Sequence, residues 1–294
     1  MRAITILNPV AGRRSPLDPR KTLARALRKH GISGEVVLTE KAGDGFDLAR
    51  QAAEHDFDVV IACGGDGTVN EVANGLVGSR TALGIVPIGT VNVLARELGI
   101  PLRTGDAVRA IAHGVPKPID LGVAGGRYFT LMAGFGFDAE VVANVLQPIK
   151  DWIGPSAYVL KVLETLAKYR ATDVTLEMPR ETYSTKAFLV IVANAATYAY
   201  NMKIAPLACL DDGLLDICVF ERPITDTIGF VGQVADIFTH RHLHHREVRY
   251  FQTERVRVRS DPEVLVQLDG DAFGSTPVEI GIAKCALNVV VPRG

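Results

Sequence analysis

No apolar run in the 294-residue sequence approaches the ~20 residues that a membrane-spanning helix needs. The amino-terminal segment turns at Asn8-Pro9 before the apolar core of a secretory signal can form, so neither a membrane span nor a leader is expected. Cysteine is scarce: four residues, at 63, 209, 218 and 285, stand without CxxC spacing and read as reduced core thiols of a cytoplasmic protein. Charge of neither sign prevails, since the formal net charge is −1, and that leaves no electrostatic case for nucleic acid. There is no low-complexity tract and no sequence repeat beyond a few similar turns. Two familiar phosphate signatures are also missing. GxxxxGK[ST] occurs nowhere, and Gly65-x-Gly67 is followed by Asn70 where the dinucleotide fingerprint wants Gly or Ala. A P-loop NTPase and an ordinary NAD-binding fold are thereby excluded.

What the chain does contain is a strand end, a glycine turn and a helix start in one run, Cys63 to Glu71. Asp58 to Ala62 is a short apolar, β-branched stretch that reads as a buried parallel strand. Thr68 with Glu71 three positions on has the capping-box pattern and predicts a helix beginning at Thr68. Gly64, Gly65 and Gly67 free the backbone to aim amides at an anion beside the positive helix end, and phosphate is the natural occupant. Asp66 among those amides would repel an anion unless it holds Mg²⁺, orients a group or takes a proton. The simpler reading is a tight strand-to-helix connection with nothing bound.

The design recurs. Leu83 to Ile88 is a strand, Gly89-Thr90 a turn, and Val91 to Leu98 a helix closed by Gly99, with Thr90 the candidate N-cap and Asn92 either functional or an exposed helix residue. At the amino terminus Ala3 to Leu7 is a strand, Asn8 to Gly12 a turn followed by Arg13 and Arg14, and Asp18-Pro19 opens a helix to His30. Val36 to Thr39 and Phe46 to His55 continue the alternation, which to about residue 115 predicts a parallel, doubly wound sheet with its turns on one ligand-binding edge.

The ordered set Asn8-Pro9, Gly64-Gly65-Asp66-Gly67-Thr68-Val69-Asn70-Glu71, Pro87-Ile88-Gly89-Thr90-Val91-Asn92 and Asp269-Gly270-Asp271 resembles the diacylglycerol kinase and sphingosine kinase family in its bacterial lipid kinase form. The resemblance implies an α/β nucleotide-binding domain at 1–125, related to those of NAD kinases and phosphofructokinases. A mostly antiparallel, sandwich-like β domain for the lipid would follow at 126–285, and a last strand near 286–291 would return to the first domain. ATP and lipid would meet in the cleft between. Asn8, Gly12, Thr39, Gly65, Gly67, Thr68, Asn70 and Thr90 match positions that contact ATP in relatives, with Pro9, Gly64, Val69, Glu71 and Asn92 in the same elements. Asp66 would organise the nucleotide or its metal, and Asp271 would be the base. Asp269 and Asp120, in Ile119-Asp120-Leu121-Gly122, are further family acids. Two departures stand out: Asp271 replaces the usual Glu, and Val93 replaces an acid that many members carry. Read without the family, Asp269-Gly270 is simply a hairpin turn.

The second half reads as strands at Tyr128 to Ala133, Val174 to Met178, Ala187 to Ala193, Leu214 to Phe220, Glu247 to Val258, Val264 to Leu268 and Ala286 to Val291. Helix signals fall at Asp138 to Leu146, Ser156 to Tyr169 and Asp226 to His240. The resemblance places a structural Mg²⁺ on Asp212 with the backbone of Cys209 and Leu214, whereas the Asp-Asp-Gly run alone also suits a metal-free turn. Tyr198 to Met202 stands where relatives carry a glycine pair near the lipid entrance. His240, His242, His244 and His245 with Arg241 and Arg246 read as a solvated helix end able to meet anionic headgroups, not as a metal site. The expectation is an ATP- and Mg²⁺-dependent lipid kinase that visits the membrane surface transiently, with self-association left open. A kinase of a soluble substrate such as NAD, and a nucleotide-binding protein that has lost catalysis, are the alternatives.

Overall fold

The computed structural model describes residues 1–11, 19–55, 57–142, 169–199, 202–221, 236–237, 239 and 241–293. They divide into two units, Met1–Leu121 with Ala283–Gly294, and Gly122–Ile282. In the first, strand and helix alternate: β1 (Arg2–Leu7), α1 (Pro19–Lys29), β2 (Ser33–Leu38), α2 (Asp44–Glu54), β3 (Val59–Gly64), α3 (Asp66–Leu76), β4 (Ala82–Pro87), α4 (Val93–Glu97), α5 (Thr104–His113) and β5 (Val115–Ala124), the last running on into the second unit. β1 pairs in parallel with both β2 and β3, and β3 pairs in parallel with β4. Strand order therefore reverses at β1, and the turns after β1 and β3 flank that switch point, where open α/β sheets bind ligands. Right-handed crossovers set α1 against one face and α2 with α3 against the other. β3 and β4 are apolar throughout because both faces are covered, and Val60, Ile61 and Ala62 are fully buried.

The second unit holds β6 (Arg127–Phe129), β7 (Met132–Gly136), α6 (Phe137–Val141), β8 (Thr172–Glu177), β9 (Thr182–Ala187), β10 (Leu189–Ala193), β11 (Thr197–Ala199), β12 (Met202–Lys203), β13 (Leu215–Phe220), β14 (Val248–Thr253), β15 (Arg255–Asp261), β16 (Leu265–Leu268), β17 (Asp271–Ser275) and the start of β18 (Val278–Val291). One antiparallel sheet runs β14-β13-β10-β7-β16-β17. β18, β15, β8 and β9 pair in that order in another. Phe135, Val192 and Ile217 from the first sheet and Leu176, Val256 and Ile280 from the second share one core, which makes the unit a β-sandwich. β18 spans the unit boundary: Val278 to Gly281 pair with β15, and Val289 pairs in parallel with Leu83 of β4.

Several element boundaries differ from the sequence reading. The stretch Glu247 to Val258 is two strands in two sheets, with a break at Glu254, because alternation alone does not tell which sheet a residue faces. Tyr128 to Ala133 is likewise split at Thr130-Leu131. β9 is polar and lies at a sheet edge, so it carries little apolar signal. Cys209 and Cys285 are exposed, unlike Cys63 and Cys218: Cys209 lies in irregular backbone before β13, and Cys285 stands at a positive-φ kink within β18. Burial pushes the Cys63 thiol up to about 12. The helices read at Ser156 to Tyr169 and Asp226 to His240, and the end of that at Asp138 to Leu146, lie outside the described residues. Among the described residues no helix is long and apolar enough to cross a membrane.

Asp216 of β13 is fully buried. Its Oδ1 accepts from the Tyr250 hydroxyl at 2.7 Å and Gln252 Nε2 at 3.0 Å, while Oδ2 has no partner among the described residues. Burial pushes this carboxyl up against the pull of those two bonds. A group whose pKa is raised by folding is held protonated more firmly in the folded state, so stability falls as pH rises from the ordinary carboxylate range toward the folded pKa. Asp216→Asn keeps the acceptor and removes the charge. It is expected to melt about 2 °C above the parent at neutral pH and level with it near pH 4, as followed by thermal denaturation. An unchanged difference across that range would refute the assignment.

Candidate functional site

The glycine turns of the first unit are locked together. α3 begins at Asp66 with Gly65 as N-cap, two residues before the predicted start at Thr68. The glycine-rich backbone can enter the helix early, so Thr68 lies inside the first turn, buried, with its hydroxyl accepting from Asn8 Nδ2 at 3.0 Å. Asn8 Oδ1 accepts from the Val10 amide, and the Asn8 amide donates to the Cys63 carbonyl. The turn after β1 is thus tied to the turn after β3. Gly64 is required here, since a Cβ would come within 2.4 Å of the Thr68 side chain.

Glu71 does not complete a capping box with Thr68. Its two oxygens accept from the amides of Gly43 and Gly45 at 3.0 Å each, and so cap α2 from a distance. The preceding Gly43 is in the left-handed region and has no side chain of its own to do this.

The Asp66 carboxylate binds the turn that follows β4. Its Oδ2 accepts from the Asn92 amide at 2.9 Å and its Oδ1 from the Val93 amide at 2.6 Å. Burial pushes its carboxyl up, against the pull of those amides. The carboxylate therefore caps α4, whose N-cap is the buried, left-handed Asn92 and not the exposed Thr90, so the predicted start at Val91 is displaced to Val93. The Asn92 side chain bridges its own turn, accepting from the Gly89 amide and donating to the Gly89 carbonyl. Val93 takes part through its amide, which any residue supplies.

Asn70 is buried and its carbonyl and Oδ1 accept from Asn74 Nδ2. Val69 is also buried. Thr39, just beyond β2, is buried and its amide donates to the Leu7 carbonyl at the end of β1. Pro9 is half-buried, and Gly12, Arg13 and Arg14 lie outside the described residues. The first-turn amides of α3, at Gly67 and Thr68, have no acceptor within the helix, and a Cβ on the exposed Gly67 would meet nothing within 4 Å. Asp120 is buried, and its Oδ1 accepts from the Cys285 amide at 2.6 Å, holding the left-handed kink of β18.

In the second unit Asp269 and Gly270 both have positive φ, of 49° and 85°, and join β16 to β17 as a two-residue hairpin turn. The turn does more than reverse the chain. Asp269 Oδ2 accepts from the Thr130 amide and hydroxyl, and its Oδ1 accepts from the amides of Leu131 and Met132, all within 2.9 Å. These bonds break the predicted strand 128–133 into β6 and β7. Desolvation pushes the Asp269 carboxyl up, with the amides pulling the other way. Asp271 is different: its carboxylate is about half exposed (51%) and pairs with Arg127 Nη2 at 2.8 Å. Arg127, 144 residues away, carried no sequence signal. Neither did Gln267 and Asp138, although Gly134 and Gly136 inside a strand are a legible sign of close packing.

Elsewhere in that unit Asp212 Oδ1 accepts from the Leu214 amide at 3.0 Å, in a turn beside the exposed Cys209. Among the described residues no three His, Cys, Asp or Glu side chains gather to hold a metal. The histidine run is not simply a solvated end. His242 is buried against Phe220 with Nε2 on the Ile204 carbonyl, and His245 pairs with Asp236 at 2.8 Å.

The profile of the diacylglycerol kinase catalytic domain matches residues 2–124, and that of the YegS C-terminal NAD kinase beta sandwich-like domain matches residues 132–291. A protein named diacylglycerol kinase from Bacillus subtilis is 34% identical, covering 99% of this chain and 97% of its own. Another of that name from Staphylococcus saprophyticus is 31% identical, covering 99% and 96%. A crystal structure of a protein assigned as a diacylglycerol kinase from Bacillus anthracis superposes with a TM-score of 0.83 at 26% identity, over 99% of this chain and 95% of that one.

Proposed function

Since the chain belongs to the diacylglycerol kinase family and is an ATP-dependent lipid kinase, we propose that diacylglycerol is its acceptor, that the paired glycine turns hold the ATP phosphates, and that Asp271 receives the hydroxyl proton. The observation that carries the assignment of the base is a contrast among four acids. Asp66, Asp120 and Asp269 give their oxygens to backbone amides, whereas Asp271 keeps a half-exposed carboxylate. The three committed acids are structural in this reading.

In the proposed reaction the lipid oxygen attacks the γ-phosphorus as its proton passes to Asp271. The bond from that phosphorus to the β–γ bridging oxygen breaks, leaving ADP and a phosphorylated lipid. Amides of Gly67 and Thr68 would meet phosphate charge at the positive end of α3. Mg²⁺ carried by the ATP phosphates would neutralise charge; Asp66 and Glu71 are occupied by amides, so the chain's contribution at these turns is its N–H groups. A structural Mg²⁺ at Asp212 would suit that carboxylate with backbone carbonyl oxygens of Cys209 and Leu214, the donors a hard cation prefers. Transient contact with anionic headgroups is supported by α1, whose sequence PRKTLARALRK carries five cations and no acid.

Purified protein given labelled ATP and Mg²⁺ is expected to label diacylglycerol in mixed micelles also containing monoacylglycerol, ceramide and sphingosine. Label only in another lipid would overturn the acceptor. Label in NADP, from NAD offered in parallel, would overturn the lipid reading, and ATP binding with no product would indicate lost catalysis.

A further inference from the structure

We propose that Asp138 and Gln267 form a positioning pair that sets Asp271 through the amide of Gly270; the inference rests on the reading of Asp271 as the base. Gln267 is the second-last residue of β16, and Asp138 lies in α6 directly after β7. Both are buried, at 3% and 5% exposure. The Gly270 amide, in the middle of the turn, donates inward to Gln267 Oε1 at 2.6 Å. Gln267 Nε2 in turn donates to Asp138 Oδ2 at 2.6 Å. The other Asp138 oxygen accepts from the hydroxyl of Tyr198 on β11.

The carboxylate decides which way the Gln267 amide faces. Rotating that amide by a half turn would set Oε1 against the carboxylate and Nε2 against the Gly270 N–H, two repulsive contacts in place of two bonds. With Asp138 present, Oε1 is committed to the turn. Each residue of the turn then has its own restraint: Asp269 on the amides of 130–132, Gly270 on Gln267, and Asp271 on Arg127. The far side of the Asp269 cradle is fixed too, since Asn194 Nδ2 donates to the Thr130 carbonyl and the amides of Asn194 and Ala195 donate to that of Leu131.

Gly134 supplies an independent sign that this contact is built. It pairs with Gln267 across β7 and β16, and a Cβ there would lie 1.9 Å from Asp138 Oδ2 and 2.6 Å from Gln267 Nε2. Its φ is not in the left-handed region, so the glycine serves space and not conformation. An apolar pair of similar volume would fill such a core at lower desolvation cost, which leaves orientation of the turn as what the polar pair contributes. The turn carries a reacting group for which an error of about 1 Å can cost about 100-fold.

The decisive test exchanges polarity. Asp138→Leu leaves Gln267 Nε2 without its acceptor and frees that amide to turn, and Gln267→Glu sets two acceptors against each other. Asp138→Asn with Gln267→Glu restores every bond: the amide introduced at position 138 would donate to the carboxylate introduced at position 267 and accept from Tyr198, and that carboxylate would accept from Gly270. With diacylglycerol in micelles, each single variant is expected to lose about 10- to 100-fold in kcat with KM for ATP within about twofold. The double variant is expected to return to within about threefold of the parent kcat, with melting temperature and circular dichroism followed throughout. In an Asp271→Asn background, Gln267→Glu is expected to cost less than about threefold more. Folded singles with parental kcat, a loss falling on KM for ATP, a folded double that stays slow, or an undiminished loss in the Asp271→Asn background would each overturn the pair. Should Asp271→Asn itself keep parental kcat, the base reading falls and the pair with it. If Asp271→Asn is inactive while both singles are fully active, the pair alone falls.

Discussion

Asp271→Asn is expected to lower lipid phosphorylation by at least about 100-fold, the usual scale for removing a positioned general base, while ATP affinity stays within about twofold. That loss corresponds to about 3 kcal/mol of barrier. The fold should not suffer with it. The Arg127 pair that Asp271 leaves behind is half exposed (36% and 51%), and such pairs contribute about 1 kcal/mol or less to stability. This separates Asp271 from Asp269, two residues earlier in the same turn, which holds four donors whose loss would strand three backbone amides. Initial rates at saturating ATP, ATP binding by calorimetry and a melting curve together check the claim. Asp271→Glu restores the family's longer acid and is expected to keep far more activity than the asparagine variant. Parental turnover in Asp271→Asn would remove it from the chemistry.

The second large effect lies at the paired glycine turns. Gly89→Ala would bring a Cβ within 2.5 Å of the Gly65 Cα and 2.8 Å of Asn92 Oδ1. Neither neighbour can yield cheaply: one is backbone, and the other is held by bonds to both the amide and, through Nδ2, the carbonyl of Gly89. The turns must part, and the Asp66 bonds to Asn92 and Val93 are strained with them. A stability loss of about 2 kcal/mol and at least a tenfold weakening of ATP binding are expected. Gly67→Ala is the contrast. Its Cβ points into open space and its φ is not positive, so melting should be unchanged. A phosphate seated on the α3 amides would nonetheless meet that methyl group, and ATP affinity should fall about tenfold or more. Calorimetry with ATP on both variants distinguishes a broken scaffold from a blocked cradle. If Gly67→Ala binds ATP as the parent does, the phosphates lie elsewhere.

The sequence by itself determined the order of the elements in the first unit and the identity of its turns, because short β-branched runs, glycines and helix stops act over a few neighbouring residues. It also determined the two-residue turn at Asp269-Gly270, where positive φ at both positions is a local demand that Asp-Gly meets. Helix starts at the glycine turns were misread for an equally local reason: glycine lets the backbone enter the helix before the first good capping residue, as at Asp66 and Val93. What only the tertiary structure decided is which partner each polar side chain takes. Glu71 and Thr68 have capping-box spacing, yet Glu71 caps α2 at Gly43 and Gly45, and Thr68 answers to Asn8. Four acids that look alike in the sequence divide into three that bind amides 26 to 165 residues away and one that stays half exposed. A carboxylate's role is set by the donors that folding brings to it, and those donors are mostly backbone amides, which every residue type except proline carries and no sequence pattern marks.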